Sequence, residues 1–199
     1  TNWINGTSDF MVGIGTTNPS SRLSVAGDAC VSGVITASNF AKADGSSLGG
    51  FEPDADENLV AGTCSGCNLD GTDGCFNLLL GTCAGRNTTS GVGNVFLGKY
   101  AGCKNTTGDE NIFIGRSAGK GDSSCSVTGD DNIGVGVCAG SAITLADNSI
   151  FIGKLAGGIR KDAGITGCCN IAIGYGSGMC LLTGCDNVFI GKSTAHSDC

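Results

Sequence analysis

The chain has 199 residues, of which 36 are Gly, 2 Pro and 13 Cys, with 11 Lys and Arg against 18 Asp and Glu for a formal charge of −7. Gly at well over its usual share of roughly 7 % disfavours a helical bundle, since each interior Gly costs a helix about 1 kcal/mol relative to Ala. Scarce Pro and the lack of a three-residue Gly period exclude collagen. A charged fraction of only 15 % excludes an acidic disordered tail.

No apolar run reaches the ~18 residues of a membrane span, so no membrane insertion is expected. The acidic balance also argues against nucleic acid as a partner, which needs a clustered basic face. A β-rich, turn-rich chain remains. It opens on Thr1-Asn2-Trp3, without an initiator Met or a signal-peptide pattern, and reads as a fragment or processed piece.

Residues 1–50 form a first segment, read as an intertwined connector. Residues 23–27 and 31–37 are predicted as two short strands, and residues 38–45 as the loop after them. Such thin strands cannot bury a core of ordinary size, so burial between chains is the expected remedy. Residues 51–57, with Pro53 and four acids, form a junction.

From residue 58 to 199 a unit repeats eight times: Asn, three mostly apolar residues, Gly, two variable residues, a small residue, Gly. The clearest copies start at Asn94, with Gly98 and Gly102, and at Asn111, with Gly115 and Gly119; the last starts at Asn187, with Gly191. The first Gly of the unit falls at 62, 81, 98, 115, 136, 153, 174 and 191, a base period of 17 with insertions of two or four residues. Each apolar triplet reads as a strand. Its first and third residues are assigned to a repeating core, and its middle residue to a less regular environment.

The glycines mark corners, and the small residue between them fits a crowded inward position. A second turn glycine (Gly74, Gly91, Gly108, Gly129, Gly167, Gly184) lies three residues before most repeat Asn residues. The Asn tolerates the left-handed region and, stacked in register, can form a ladder of amide bonds. A unit this small cannot bury its own face. The expected fold is therefore an elongated, all-β parallel solenoid or prism of stacked ~17-residue units. Insertions near residues 68–72, 121–126 and 158–165 should protrude as loops.

The run Gly93-Asn94-Val95-Phe96-Leu97-Gly98-Lys99-Tyr100-Ala101-Gly102-Cys103 resembles repeats in tail fibres of tailed phages, cyanophages above all, and Thr183-Gly184-Cys185-Asp186-Asn187 fits the cyanophage type. Asn170-Ile171-Ala172-Ile173-Gly174 is similar to the head repeat of trimeric autotransporter adhesins. Val12-Gly13-Ile14-Gly15-Thr16-Thr17-Asn18-Pro19 and Arg22-Leu23-Ser24-Val25-Ala26-Gly27 resemble a segment common in phage fibre proteins. The resemblance implies a parallel homotrimer in a virion tail fibre, with tail or baseplate proteins and a host cell-surface glycan or protein as partners. In that family a self-cleaving chaperone domain often follows the repeats. None is present before Cys199, which fits cleavage or truncation.

Cysteines offer the first candidate chemistry. Cys64, Cys83 and Cys138 share one repeat position, as do Cys75, Cys168 and Cys185, and the expected role is a small buried hydrophobe in a stacked slot. Cys64 with Cys83, and Cys168 with Cys185, fall within reach for disulfides or for stacked free thiols; we read free thiols. Cys64-Ser65-Gly66-Cys67 has half a zinc spacing, but no second pair follows and the sole His is His196, so no metal or other cofactor is assigned.

Acidic pairs such as Asp109-Glu110 and Asp130-Asp131 read as solvated turns rather than calcium loops. Asn5, Asn87 and Asn105 head glycosylation-type triplets, read as plain turns. No catalytic constellation is found, so the chain is read as a non-enzyme. The leading function is a host-attachment fibre, with loops at 121–128 and 158–166 as contact surfaces. The alternatives are a bacterial surface adhesin or extracellular filament, then a glycan-degrading spike; an ice-binding solenoid lacks its Thr column.

Overall fold

The computed structural model describes residues 53–70, 73–121, 126–158 and 164–194, and the backbone of three short strands before them. The chain divides into two compact units, Thr1–Leu48 and Gly49–Cys199. In the first, β1 (Ile4–Gly6) pairs antiparallel with β2 (Val12–Ile14), which pairs parallel with β3 (Leu23–Val25). β3 falls within the first strand expected there, whereas β1 and β2 were not anticipated as strands. Each spans only three residues and contains a Gly, which removes the side-chain pattern that marks a strand. Residues 31–37 and 38–45 lie outside the described residues.

The second unit is a parallel β-solenoid of about seven turns. Its strands are β4 (Leu59–Ala61), β5 (Leu78–Leu80), β6 (Val95–Leu97), β7 (Ile112–Ile114), β8 (Ile133–Val135), β9 (Ile150–Ile152), β10 (Ile171–Ile173) and β11 (Val188–Ile190). They form one eight-stranded sheet in sequence order, with every unit paired to the same position of the next, as in Val95↔Ile112 and Leu97↔Ile114. At ~4.8 Å per strand, the seven spacings give a stack about 34 Å long. Among the described residues there is no helix.

The corner glycines explain how the chain leaves each strand. Gly98 has φ of 131°, and a Cβ there would stand 2.8 Å from the backbone of Gly115 on the next rung. The same geometry recurs from Gly62 to Gly174, so rungs approach too closely at this corner for any side chain. At the second turn the reason is proximity alone. A Cβ on Gly91 would meet the Gly108 carbonyl oxygen at 2.7 Å, with no positive φ involved.

The expected core assignment is inverted. The middle residue of each inner triplet points inward: Leu79, Phe96, Phe113, Phe151 and Ala172 are each 0 % exposed. The first and third residues face outward and range from half-buried to exposed. A three-residue strand offers one inward side chain, and the rest of the interior comes from the other walls. These supply Ala84, Ala101, Ala118, Ala139 and Ala156, in the predicted inward slot, and Val127, Ile143 and Ile165.

Size variation at the middle position is packing compensation inside a narrow interior. Phe96 and Phe113 stack at 5.3 Å between centroids and 13° between planes. On the next rung Gly134 leaves room for Phe113, whose Cδ1 would stand 2.9 Å from a Cβ placed there. The Phe96 and Phe113 rings also rest on Gly102 and Gly119, which accounts for the second glycine of the unit.

Candidate functional site: an apolar face with charged borders

The repeat Asn residues form a continuous buried ladder. Asn77, Asn94 and Asn132 each donate both the backbone N–H and Nδ2 to Oδ1 of the preceding Asn, at 2.9–3.1 Å. Nδ2 also donates to a turn carbonyl on the next rung, as from Asn94 to Gly108 at 2.9 Å and from Asn111 to Gly129 at 2.9 Å. At the one rung without Asn, Ser149 Oγ accepts the Asn170 N–H at 3.1 Å and the ladder continues to Asn187.

The repeat Asn does not occupy the left-handed region, contrary to expectation. The residue before it does, in all eight units, from Glu57 at φ 60° to Asp186 at 59°. A second left-handed column follows the corner glycine by two residues and includes Cys64, Tyr100 and Leu155. Neither column stands out in sequence: the first mixes Gly93, Asp131, Asn148 and Asp186 with Glu57, Phe76, Glu110 and Cys169, and the second is mostly Cys, Ser, Tyr and Leu, residues that disfavour that conformation.

Outside the ladder lies the main surface feature. Sixteen first and third triplet residues, two from each of eight strands, form one aliphatic strip from Leu59 and Ala61 to Val188 and Ile190. Ile114 is 37 % exposed and Ile152 39 %. Exposed acids line the border where strands begin: Glu57, Glu110, Asp131 and Asp186, each directly before its repeat Asn. Exposed bases line the border where strands end: Lys99, Arg116, Lys154 and Lys192, each directly after its corner glycine.

Aromatic rings space the bases. Tyr175 lies between Lys154 and Lys192, at 5.9 and 6.0 Å from the ring centroid, and Tyr100 takes Lys99 and Lys120 at 5.2 and 5.7 Å. On the acidic border carboxylates are tied into the stack. The Val92, Asp109 and Asp130 N–H groups donate to Oδ1 of Asp109, Asp130 and Asp147 respectively, at 2.8–2.9 Å.

The two cysteine columns do not fill buried slots, although Cys103 outside them is buried. Cys64 and Cys185 are exposed, while Cys75, Cys83, Cys138 and Cys168 are half-buried. The Cys64 column lies on a left-handed turn that projects outward. Cys185 stands where Asp109 and Asp130 stand on their rungs, and its Sγ accepts the Cys168 N–H at 3.2 Å. Cys64, Cys83, Cys168 and Cys185 are all free thiols, and Cys64 hydrogen-bonds Cys67 across its turn. The chain does form a disulfide, through Cys180, which the sequence pattern did not single out.

Asn105 is buried, with Nδ2 donating to the Gly108 carbonyl at 2.9 Å, so it is closed to glycosylation. Among the described residues no three His, Cys, Asp or Glu side chains converge as a metal site. His196 and most of the expected loops lie outside the described residues. Between the loop flanks a shallow groove of about 450 Å³ is lined by Ser126, Thr144, Leu145, Gly164, Thr166 and Leu182. The chain matches no family model, no curated protein and no solved structure.

Proposed function

We propose that the chain is a structural fibre segment. Copies associate through the aliphatic strip into a slender homotrimeric shaft, carried on a virion and presenting a host-attachment surface on the segments 121–128 and 158–166. The observation that carries this reading is the strip itself, sixteen aliphatic positions without a charged residue among them. A band ~34 Å long and ~10 Å wide of half-buried to exposed aliphatic side chains exceeds the scattered hydrophobes of an ordinary surface and supports an interaction role.

The repeat suggests the partner. A surface with one row of side chains every ~4.8 Å is matched along its whole length by another surface of the same period, which a second copy supplies. The borders favour one orientation. When copies are related by rotation about an axis along the stack, the acidic border of one meets the basic border of the next. An inverted copy would place acid against acid and base against base, which is repulsive.

An attachment role suits such a shaft: a stiff stack would hold loops away from the particle, and symmetry would multiply weak contacts. Decorating phage particles with antibody against residues 53–194 tests the virion location. Labelled tail appendages are the expected result. Labelling confined to a bacterial envelope would favour the adhesin reading instead.

A further inference from the structure

Two neighbouring turns gather three cysteines. Cys64 and Cys67 follow the corner glycine Gly62, and on the adjacent rung Cys83 and Arg86 follow Gly81 at the same two positions. Cys64 and Cys67 are exposed and free, and their thiols are hydrogen-bonded to each other. The two sulfurs that would have to meet are therefore already in contact.

The turn that presents them is tied to the rung beside it. Ser65, between the two cysteines, donates from its N–H to the Gly62 carbonyl at 3.2 Å and from its Oγ to the Leu79 carbonyl at 2.8 Å. The Gly66 N–H donates to the Ala84 carbonyl at 3.0 Å. Gly66 also rests on the interior, where a Cβ would stand 2.9 Å from Leu69 Cδ1 and 3.1 Å from Leu79 Cδ1. Cys64 and Gly66 both take the left-handed region, each at φ 55°, and this local path brings residues 64 and 67 side by side. Folding thus supplies the approach of the two thiols that a loose chain would have to find by diffusion.

We propose that Cys64 and Cys67 are a dithiol–disulfide site, closed by exchange with a low-molecular-mass disulfide such as glutathione disulfide. Partial desolvation, then the hydrogen bond to Cys64, pushes the Cys67 thiol above its ordinary value of 9.0, with the Arg86 charge pulling the other way. The first attack therefore falls to Cys64, which gives its proton to solvent. Its thiolate attacks one sulfur of glutathione disulfide, the S–S bond breaks, and one glutathione thiolate leaves and takes up a proton. Cys67 then loses its proton to solvent, and its sulfur displaces the second glutathione from Cys64. Two protein thiols are oxidised to one disulfide, and one disulfide is reduced to two glutathione thiols. The site lies outside the aliphatic strip and does not depend on association through it.

The test exposes the intact chain to stepped ratios of glutathione disulfide to glutathione, quenches with acid, alkylates the remaining thiols and maps residues 53–86 by mass spectrometry. The expected product lacks two hydrogens, links Cys64 to Cys67 and retains no glutathione at either. Closure should need a disulfide ratio about tenfold or more below that required in urea, where the turn is lost. Cys67→Ser should stop at a stable glutathione adduct on Cys64. Four results would overturn the proposal: free thiols at both positions under excess glutathione disulfide, glutathione retained at either position of the unaltered native chain, a bond from Cys64 to Cys83 instead, or equal closure in the native and the urea-unfolded chain.

Discussion

Asn132 sends two hydrogen bonds, from its backbone N–H and its Nδ2, to a single acceptor, Oδ1 of Asn111, both at 3.0 Å. Asn111→Ala would strand two buried donors at once. The expected cost is about 2–4 kcal/mol, read as a shift of the urea midpoint. Asn111→Ser should recover part of that loss, because Ser149 already serves this ladder through its Oγ.

Inward and outward positions of one strand should respond differently. Phe113→Ala removes a ring with no exposure from between Phe96 and Gly134, and should cost about 3–5 kcal/mol. Ile114→Ala on the same strand should cost less than about 1.5 kcal/mol, measured in dilute conditions where the chain is dissociated. Equal costs would return the outer row to the core.

Thr88 is fully buried, and its Oγ1 has no hydrogen-bond partner. Further along the stack, Val127 and Ile143 project into the same interior as plain hydrophobes. Thr88→Val should therefore raise stability by about 1 kcal/mol, seen as a higher melting temperature.

Burial pushes the Cys103 thiol above its ordinary value of 9.0, against the opposing pull of the Arg86 charge. The folded protein thus holds this proton more tightly than the unfolded chain. Its contribution to stability is complete below pH 9.0 and is lost as pH rises through the folded value. Native-state alkylation at neutral pH should label exposed Cys64 and Cys185 well before Cys103. Cys103→Ala should flatten the decline in melting temperature above pH 9.0 relative to the unaltered chain.

Periodicity made the stack legible: the spacing of Gly62 to Gly191 places all eight strands and their order. The Asn ladder was legible for the same reason, since one amide per rung in register leaves few other arrangements. Which face is inside was not legible. Aliphatic constancy at Leu97, Ile114 and Ile190 looks like a core column, yet in a narrow solenoid the inner column varies to fit, from Phe113 to Gly134. The left-handed columns were hidden because Tyr100, Leu155 and Glu110 carry no turn signal. The charged borders were present as acidic pairs and isolated lysines, but their opposition across a strip emerges only when rungs are superposed.

Association through the aliphatic strip is tested most directly by native mass in solution, alongside a variant carrying Ile112→Lys and Ile150→Lys. A parallel trimer has three times the chain mass of 19.7 kDa, and the variant should fall to 19.7 kDa with its β-sheet signal intact. A native mass of 19.7 kDa for the unaltered chain at micromolar concentration would contradict it.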